Sequence, residues 1–449
     1  MSRRLGIFAP LRHRGFRFLV AGQLTSNVGD MVYAVALPWY VLANHGGVLL
    51  LGLVLAAYGI PRTVLIPVGG HVSDRWRPWT VMLAADGVRA VVVIVLAIVV
   101  ASGRPNAFAL VPIAVVLGAG EGMFLPGSFS IIPSLLGEED LQAGNALASS
   151  GTQLATLIGP AVGGVLVALL GPSPAFGLDG LSFIVSALTL AAVRAEMLPR
   201  QVADTLMRGP APVPVGENSG PSDIARKTTP DSDGHRPTMR QLVSSERALQ
   251  IILLISIAAN LGVGAESEVA LPALAHGPFH AGAGGYGALV AAFGAGALLG
   301  TIAAGQARPA RRPAMVGSVA FLLDAVSISV VPFLGGPVGA GAAMVAFGAL
   351  NGFGNVVTIT AFQRWAPPAL IGRLMGLLLL TSFGLFPVSV ALGAVVVHHF
   401  GPAVLFPVAG AALGVAILFG LTQRRWREFG VSGTPAPFAL LAEGRSPSE

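Results

Sequence analysis

Twelve stretches of this chain are each long and apolar enough to cross a lipid bilayer as a helix, and no other feature limits its fold so severely. A hydrocarbon core of roughly 30 Å takes about 20 consecutive, mainly apolar helical residues. Six runs meet that need before residue 199: Phe18–Leu42, Val48–Gly70, Trp79–Ala101, Phe108–Leu136, Leu141–Leu170 and Ala175–Val193. Six more follow it: Ala248–Leu274, Ala283–Ala304, Pro313–Leu334, Val338–Trp365, Leu370–Val397 and Val404–Leu421. Only 11% of the 449 residues are charged and 54% are hydrophobic, whereas a soluble domain carries about a quarter charged residues. That excludes a soluble enzyme and a disordered chain. The absence of cysteine removes disulfides, thiolate chemistry and Cys-bound zinc. Interruptions such as Gly59-Ile60-Pro61 and Leu125-Pro126-Gly127 would break helices in water, but inside a bundle neighbouring helices satisfy the freed backbone groups. The expected fold is an all-α polytopic membrane protein.

Between the sixth and seventh runs, residues 199–245 include Pro210-Ala211-Pro212-Val213-Pro214-Val215 and Lys227-Thr228-Thr229-Pro230-Asp231, the composition of a flexible linker without a core. The chain therefore divides into a basic N-terminal segment (1–17), a six-helix half (18–198), the linker (199–245), a second six-helix half (246–424) and a C-terminal tail (425–449). Six helices, linker, six helices is the pattern of internally duplicated, pseudo-symmetric transporters. Of the 27 basic residues, all but Arg62, Arg89 and Arg104 fall on the side of the bilayer that carries the termini, among them Arg3, Arg4, Arg75, Arg77, Arg311, Arg312, Arg424 and Arg425. By the bias of arginine and lysine towards cytoplasmic loops, both termini are expected in the cytoplasm of a bacterial cell, with the protein in its plasma (inner) membrane. The net charge of +6 is then a topological label and an anionic-lipid contact, not a sign of nucleic acid. The N-terminus has no small-residue cleavage site after a short apolar core, so no removable signal peptide is expected.

Nine ionisable residues lie inside the runs: Asp30, Arg62, Asp86, Arg89, Glu121, Asp179, Glu266, Glu268 and Asp324. Each central charge costs about 2.5 to 3.5 kcal/mol on insertion scales, so all nine unpaired would cost roughly 20–30 kcal/mol. They must be paired, neutral, interfacial or turned to a watery cavity. Asp30 and Glu121 lie mid-span and read either as cavity groups or as structural partners. Arg62 has two candidate partners, Asp30 and Glu121, or reaches the headgroups. Asp86 and Arg89, at i and i+3, read as a local ion pair. Asp179, Glu266 and Glu268 lie towards the outer ends, where solvent contact is the simpler reading, and of the two glutamates at most one faces a central cavity. Asp324 is mid-span without an evident partner.

After the second run stands Gly70-His71-Val72-Ser73-Asp74-Arg75-Trp76-Arg77, which resembles the loop signature G-x-x-x-D-R-x-G-R-R/K of the major facilitator superfamily. The resemblance implies a cytoplasmic gate in which Asp74 meets the N-terminal end of helix eleven and Arg75 and Arg77 hold acids or headgroups. The sequence departs from the pattern at Pro78 and Trp79, where further basic residues are usual. Gly159-Pro160-Ala161-Val162-Gly163-Gly164 is similar to the G-P-x-x-G-G element of that superfamily's drug/proton antiporters, where small residues pack closely and the proline bends the helix. Glu139 to Leu147, Leu178 to Phe183 and Ile371 to Gly376 resemble the branch containing enterobactin exporters and macrolide efflux pumps. Membership implies that helices one, four, seven and ten line the cavity, making Asp30, Glu121, Asn260, Glu266, Asn351 and Asn355, with Arg62 beside the acids, the candidates for substrate or proton contact.

The one lysine, Lys227, follows Arg226, so no phosphate-binding G-K-[ST] loop exists and ATP is not the direct energy source. Gly282-Ala283-Gly284-Gly285-Tyr286-Gly287 matches a dinucleotide fingerprint only by chance in a chain with 59 glycines. His276 and His280, separated by Gly277 and Pro278, form no helical metal pair, and His398-His399 reads as interfacial. The resulting expectation is a monomeric, non-enzymatic, proton-coupled efflux transporter of a small amphiphile such as a drug, macrolide or siderophore. It needs no cofactor and no metal, and its partners are the bilayer, the substrate and protons. A proton symporter importing a metabolite and a transport-inactive receptor or scaffold are the alternatives.

Overall fold

The computed structural model of the protein describes residues 9–103, 105–208, 243, 246–307, 310–365 and 371–430. The first half holds α1 (Arg14–Ala43), α2 (Gly47–Trp76), α3 (Pro78–Ser102), α4 (Ala107–Ser130), α5 (Glu138–Leu170) and α6 (Pro172–Arg208). The second holds α7 (Arg247–His276), α8 (Gly282–Gln306), α9 (Pro313–Val330), α10 (Pro337–Trp365), α11 (Ile371–Phe400) and α12 (Pro402–Thr422). No strand occurs among the described residues. Eleven of these helices are long and apolar enough to cross a membrane on composition alone. The other is α1, which has 30 residues but carries Gln23, Thr25, Ser26, Asn27 and Asp30 in its first two-thirds. Most of these polar groups face a cavity, where apolar side chains are not required.

Local chemistry sets the helix ends. Pro78, Pro313 and Pro402 open α3, α9 and α12, where a missing N–H costs nothing. The Asn106 side chain accepts the Phe108 N–H at 2.9 Å to cap α4. Gly171 and Gly401 turn the chain with φ of 82° at the α5–α6 and α11–α12 corners. Arg77, between α2 and α3, has φ 73° and ψ 132°, a region that an L side chain enters at about 1–3 kcal/mol. The loop signature has glycine at this place. Arg77→Gly is therefore expected to raise stability by about 1 kcal/mol, read as a higher Tm of the detergent-purified protein. A Tm that stays level or falls would contradict the strain.

Proline also corrects two of the expected spans. The fourth run does not continue to Leu136: α4 ends at Ser130, and a separate turn spans Ile132–Leu135, because Pro133 gives no N–H to a continuing helix. The ninth passes from α9 into a tighter turn at Val331–Phe333 around Pro332. The backbone of α6 remains helical to Arg208, so residues 199–208 extend a helix instead of starting a loose linker. Gly209-Pro210 is the first strong stop in the sequence. Most of the linker, with residues 1–8 and 431–449, lies outside the described residues. The terminal segments are docked where they are described. Arg12 Nη2 and His13 Nε2 reach Asp140 at 2.8 and 3.0 Å, and Trp426 is buried with its indole N–H on Ser318 Oγ at 3.0 Å.

The halves repeat one packing scheme. In the first, α1 packs on α5 and α6, α3 on α4 and α6, and α2 on α4; in the second, α7 packs on α11 and α12, α9 on α10 and α12, and α8 on α10. Between halves, α2 meets α11 and α5 meets α8, the two contacts that a pseudo-two-fold axis exchanges. Among the described residues, buried side chains form three clusters. One spans both halves towards the face opposite the termini, through Val35, Tyr40, Leu274, Tyr286, Phe347 and Val397. Towards the terminal face each half keeps its own: Phe16, Met82 and Leu190 in the first, Leu249, Phe362 and Ile417 in the second. The halves are thus joined on one side of the membrane and parted on the other.

Candidate functional site

Where the halves part lies a cavity of about 870 Å³. Its depth is set by α1, which presents Gln23, Asn27, Asp30 and Ala34 along one face, spacings of three and four residues that keep side chains on one stripe. Phe129 from the end of α4, Ile132 from the turn that follows it and Asn145 from α5 carry the cavity to the terminal face. Towards the opposite face it is stopped by Trp39 against His276, rings 5.3 Å apart, and by close backbone contact of α5 with α8. There a Cβ at Gly164 would stand 2.9 Å from the Ala283 carbonyl oxygen and 3.0 Å from Gly287 Cα. Gly163 backs onto Val32 of α1 in the same way. The Gly159-Pro160-x-x-Gly163-Gly164 element therefore packs α5 against α1 on one side and across the half boundary on the other.

The charged residues of the first half converge on this space. Arg62 Nη2 lies 2.9 Å from Glu121 Oε1, so of its two candidate partners the glutamate is the one it holds. α2 and α4 come close enough for this because Gly122 leaves room for the Arg62 backbone. The Arg62 guanidinium also sits 4.6 Å from the Phe383 ring of α11, and Thr63 Oγ1 donates to the Phe383 carbonyl at 2.8 Å, tying this group to the second half. Arg89 pairs with Asp86 on its own helix, and Ser186 Oγ donates to the other Asp86 oxygen at 2.6 Å. Its guanidinium lies between Phe124 and Phe183, at 4.5 and 4.3 Å, and it borders the cavity. Asp30 lines the same wall.

Three expected placements change. Asp179 does not meet outer solvent: it is 1% exposed, takes a 3.4 Å hydrogen bond from Ser182 and borders the cavity. Of the two glutamates on α7, Glu268 enters the cavity, while Glu266 is buried away from it. The cause is a widened π turn over Glu266–Ala270: Pro272 has no N–H for the Glu268 carbonyl, and the turn before it relaxes. Asn260 is not a lining residue; its amide turns back to the Ser256 carbonyl at 2.8 Å. A polar stripe on α6, Asp179, Ser182 and Ser186 at i, i+3 and i+7, is the sequence signal that places Asp179 with the interior.

Asn351 and Asn355 line a second cleft of about 490 Å³ with Gln153, Thr156 and Thr301, and Thr156 borders both spaces. Asn355 Nδ2 donates to Asn351 Oδ1 at 2.9 Å, and Asn351 lies beside the buried Asp324, whose Oδ1 has no hydrogen-bond partner among the described residues. In the loop signature, Gly70 has open space about it, with only Pro126 Cβ at 3.9 Å from a built Cβ; the close approach belongs to Gly69. Arg75 and Arg77 are exposed. The Asp74 side chain lies outside the described residues. Among the described residues no group of histidines and carboxylates has the arrangement of a metal site.

Residues 19–385 match the family model of the Major Facilitator Superfamily. The chain belongs to that superfamily. Curated relatives include the enterobactin exporter EntS of Citrobacter koseri, 25% identical over 89% of this chain and 88% of that one. The enterobactin exporter EntS of Shigella boydii is 24% identical over 93% and 94%. Among solved structures, a D-xylose-proton symporter superposes with a TM-score of 0.66 at 14% identity, covering 94% of this chain and all of that one. A POT family transporter in complex with a thioalcohol-conjugated peptide gives 0.67 at 15% identity over 91% and 96%. At such identities the structures speak for the fold alone. This superfamily member is a multi-pass membrane transporter, and the two curated relatives named above are exporters.

Proposed function

We propose that the protein is a proton-coupled antiporter that expels a small amphiphile from the cytoplasm across the bacterial inner membrane, acting as a monomer with both termini cytoplasmic. The observation that carries this reading is the pairing of two mid-membrane carboxylates, Asp30 and Glu121, at one cavity with Arg62 held on Glu121 at 2.9 Å. A carboxylate that exchanges a proton at this depth changes the local charge, and with it the grip of Arg62 and of anything else bound there. The cavity opens on the basic, terminal face, the side from which an exporter loads. Substrate bound there favours one facing and protons favour the other, so the two exchange across the membrane by alternating access. No cofactor enters this scheme. A proton moving down about 100 mV supplies roughly 2.3 kcal/mol, enough for an approximately 50-fold uphill gradient of a neutral substrate at one-to-one exchange.

The test is counterflow in proteoliposomes under an imposed pH gradient. Asp30→Asn and Glu121→Gln are expected to abolish the pH-driven component, while each variant keeps the wild-type elution profile in size-exclusion chromatography. Undiminished proton coupling in both would overturn the assignment.

A further inference from the structure

The charges at the cavity do not cancel. Glu121 is matched by Arg62, and Arg89 is taken by Asp86. Asp30, Asp179 and Glu268 border the same space; Arg62 and Arg89 lie within electrostatic reach of them, but among the described residues the direct ion pairs of these arginines go to Glu121 and Asp86 instead. Tyr33, also on the wall, lies within electrostatic reach of all three and of Glu121. The second cleft offers nothing to offset this charge, because its described lining is amide, hydroxyl and apolar.

The remaining walls point the same way. Rings of Tyr58, Phe124, Phe183, Phe383 and Phe386 border the cavity, and four of them already hold a cation over the ring: Phe383 and Tyr58 the Arg62 guanidinium, at 4.6 and 5.9 Å, and Phe124 and Phe183 that of Arg89, at 4.5 and 4.3 Å. Ring faces are negative and attract cations most when water is excluded, and unpaired carboxylates at membrane depth are costly until matched. Together they select one ligand charge.

We propose that the transported amphiphile is a lipophilic organic cation, seated with its positive centre towards Asp30, Asp179 and Glu268 and its apolar groups against the aromatic wall. This rests on the reading that the same cavity carries substrate, and it narrows that reading from amphiphiles in general to those with a positive charge. An anionic amphiphile would meet a wall on which acids outnumber arginines four to two.

Calorimetric titration of the full-length protein in nanodiscs tests this with three probes of similar size: tetraphenylphosphonium (cationic), triphenylphosphine oxide (neutral) and triphenylphosphine monosulfonate (anionic). The phosphonium is expected to bind at least about tenfold more tightly than either of the others. Asp179→Asn and Glu268→Gln are each expected to weaken it about tenfold or more, as loss of one partner from a buried charge contact does, and to leave the oxide unaffected. The comparison on the unaltered protein decides the matter even where a variant does not fold. Oxide or sulfonate binding as tightly as the phosphonium, or no phosphonium binding at all, overturns the assignment. If the oxide or sulfonate also shows proton-driven counterflow, the cation assignment falls and proton-coupled transport stands. Phosphonium binding without proton-driven movement supports the cation site and defeats the transport reading.

Discussion

Arg89→Met is expected to cost about 3–5 kcal/mol and to leave little folded protein in detergent. Arg89 is 4% exposed and Asp86 fully buried. Their ion pair stands between α3, Ser186 of α6 and the rings of Phe124 and Phe183. Removing one partner strands the other charge in an apolar core, and that uncompensated charge carries the penalty, not the modest net worth of the pair. The same physics predicts rescue. Asp86→Leu combined with Arg89→Met replaces both charges with apolar groups of similar bulk, and a buried pair exchanged in this way is commonly neutral or stabilising. Thermal melts of the single and double variants decide between the two outcomes. A double variant no more stable than Arg89→Met would show that the guanidinium acts through its aromatic contacts instead of through Asp86.

Much of the architecture is legible in the sequence because a bilayer asks a simple question of each segment, its length and its polarity. Eleven helices answer it on composition alone. The one that does not, α1, fails because Gln23, Asn27 and Asp30 serve the cavity, so the weakest span by hydropathy marks the site. Ion pairs at helical spacing are legible too: Asp86 and Arg89 follow from i and i+3. What the sequence leaves open is rotation about each helix axis. Depth along α6 placed Asp179 near the outer face, yet the direction of its side chain, inward past Ser182, depends on how α6 packs against α1 and α3. Glu266 and Glu268 show the same limit at finer scale, since which of them enters the cavity is settled by a single widened turn ahead of Pro272. Helix ends and linkers fail for a related reason. Side chains such as Trp426 and Asp140 gain partners across the fold that no local window contains.

Gly164→Leu is expected to abolish transport while leaving the fold intact, by denying the two halves their closed contact on the face opposite the termini. A Cβ at this position would already stand 2.9 Å from the Ala283 carbonyl oxygen and 3.0 Å from Gly287 Cα. These are backbone atoms of α8 that cannot rotate away, so a branched side chain must push α5 and α8 apart. Overpacking of this order costs about 1–3 kcal/mol, and the cost falls only on the state in which these helices touch. At about 1.4 kcal/mol per factor of ten, the balance between facings moves by roughly 5- to 150-fold towards the state open on that face. Because the chain contains no cysteine, a single cysteine at Ala34, on the cavity wall and deeper along α1 than the Trp39–His276 contact, reports directly. Its labelling by a membrane-impermeant maleimide from the non-terminal side is expected to be slow in the otherwise unaltered protein and fast beside Gly164→Leu. Gly164→Ala, with a single added methyl group, should fall between them. Equal labelling in all three would mean that α5 and α8 remain apart throughout the cycle, and that the small residues of Gly159–Gly164 serve packing within the first half alone.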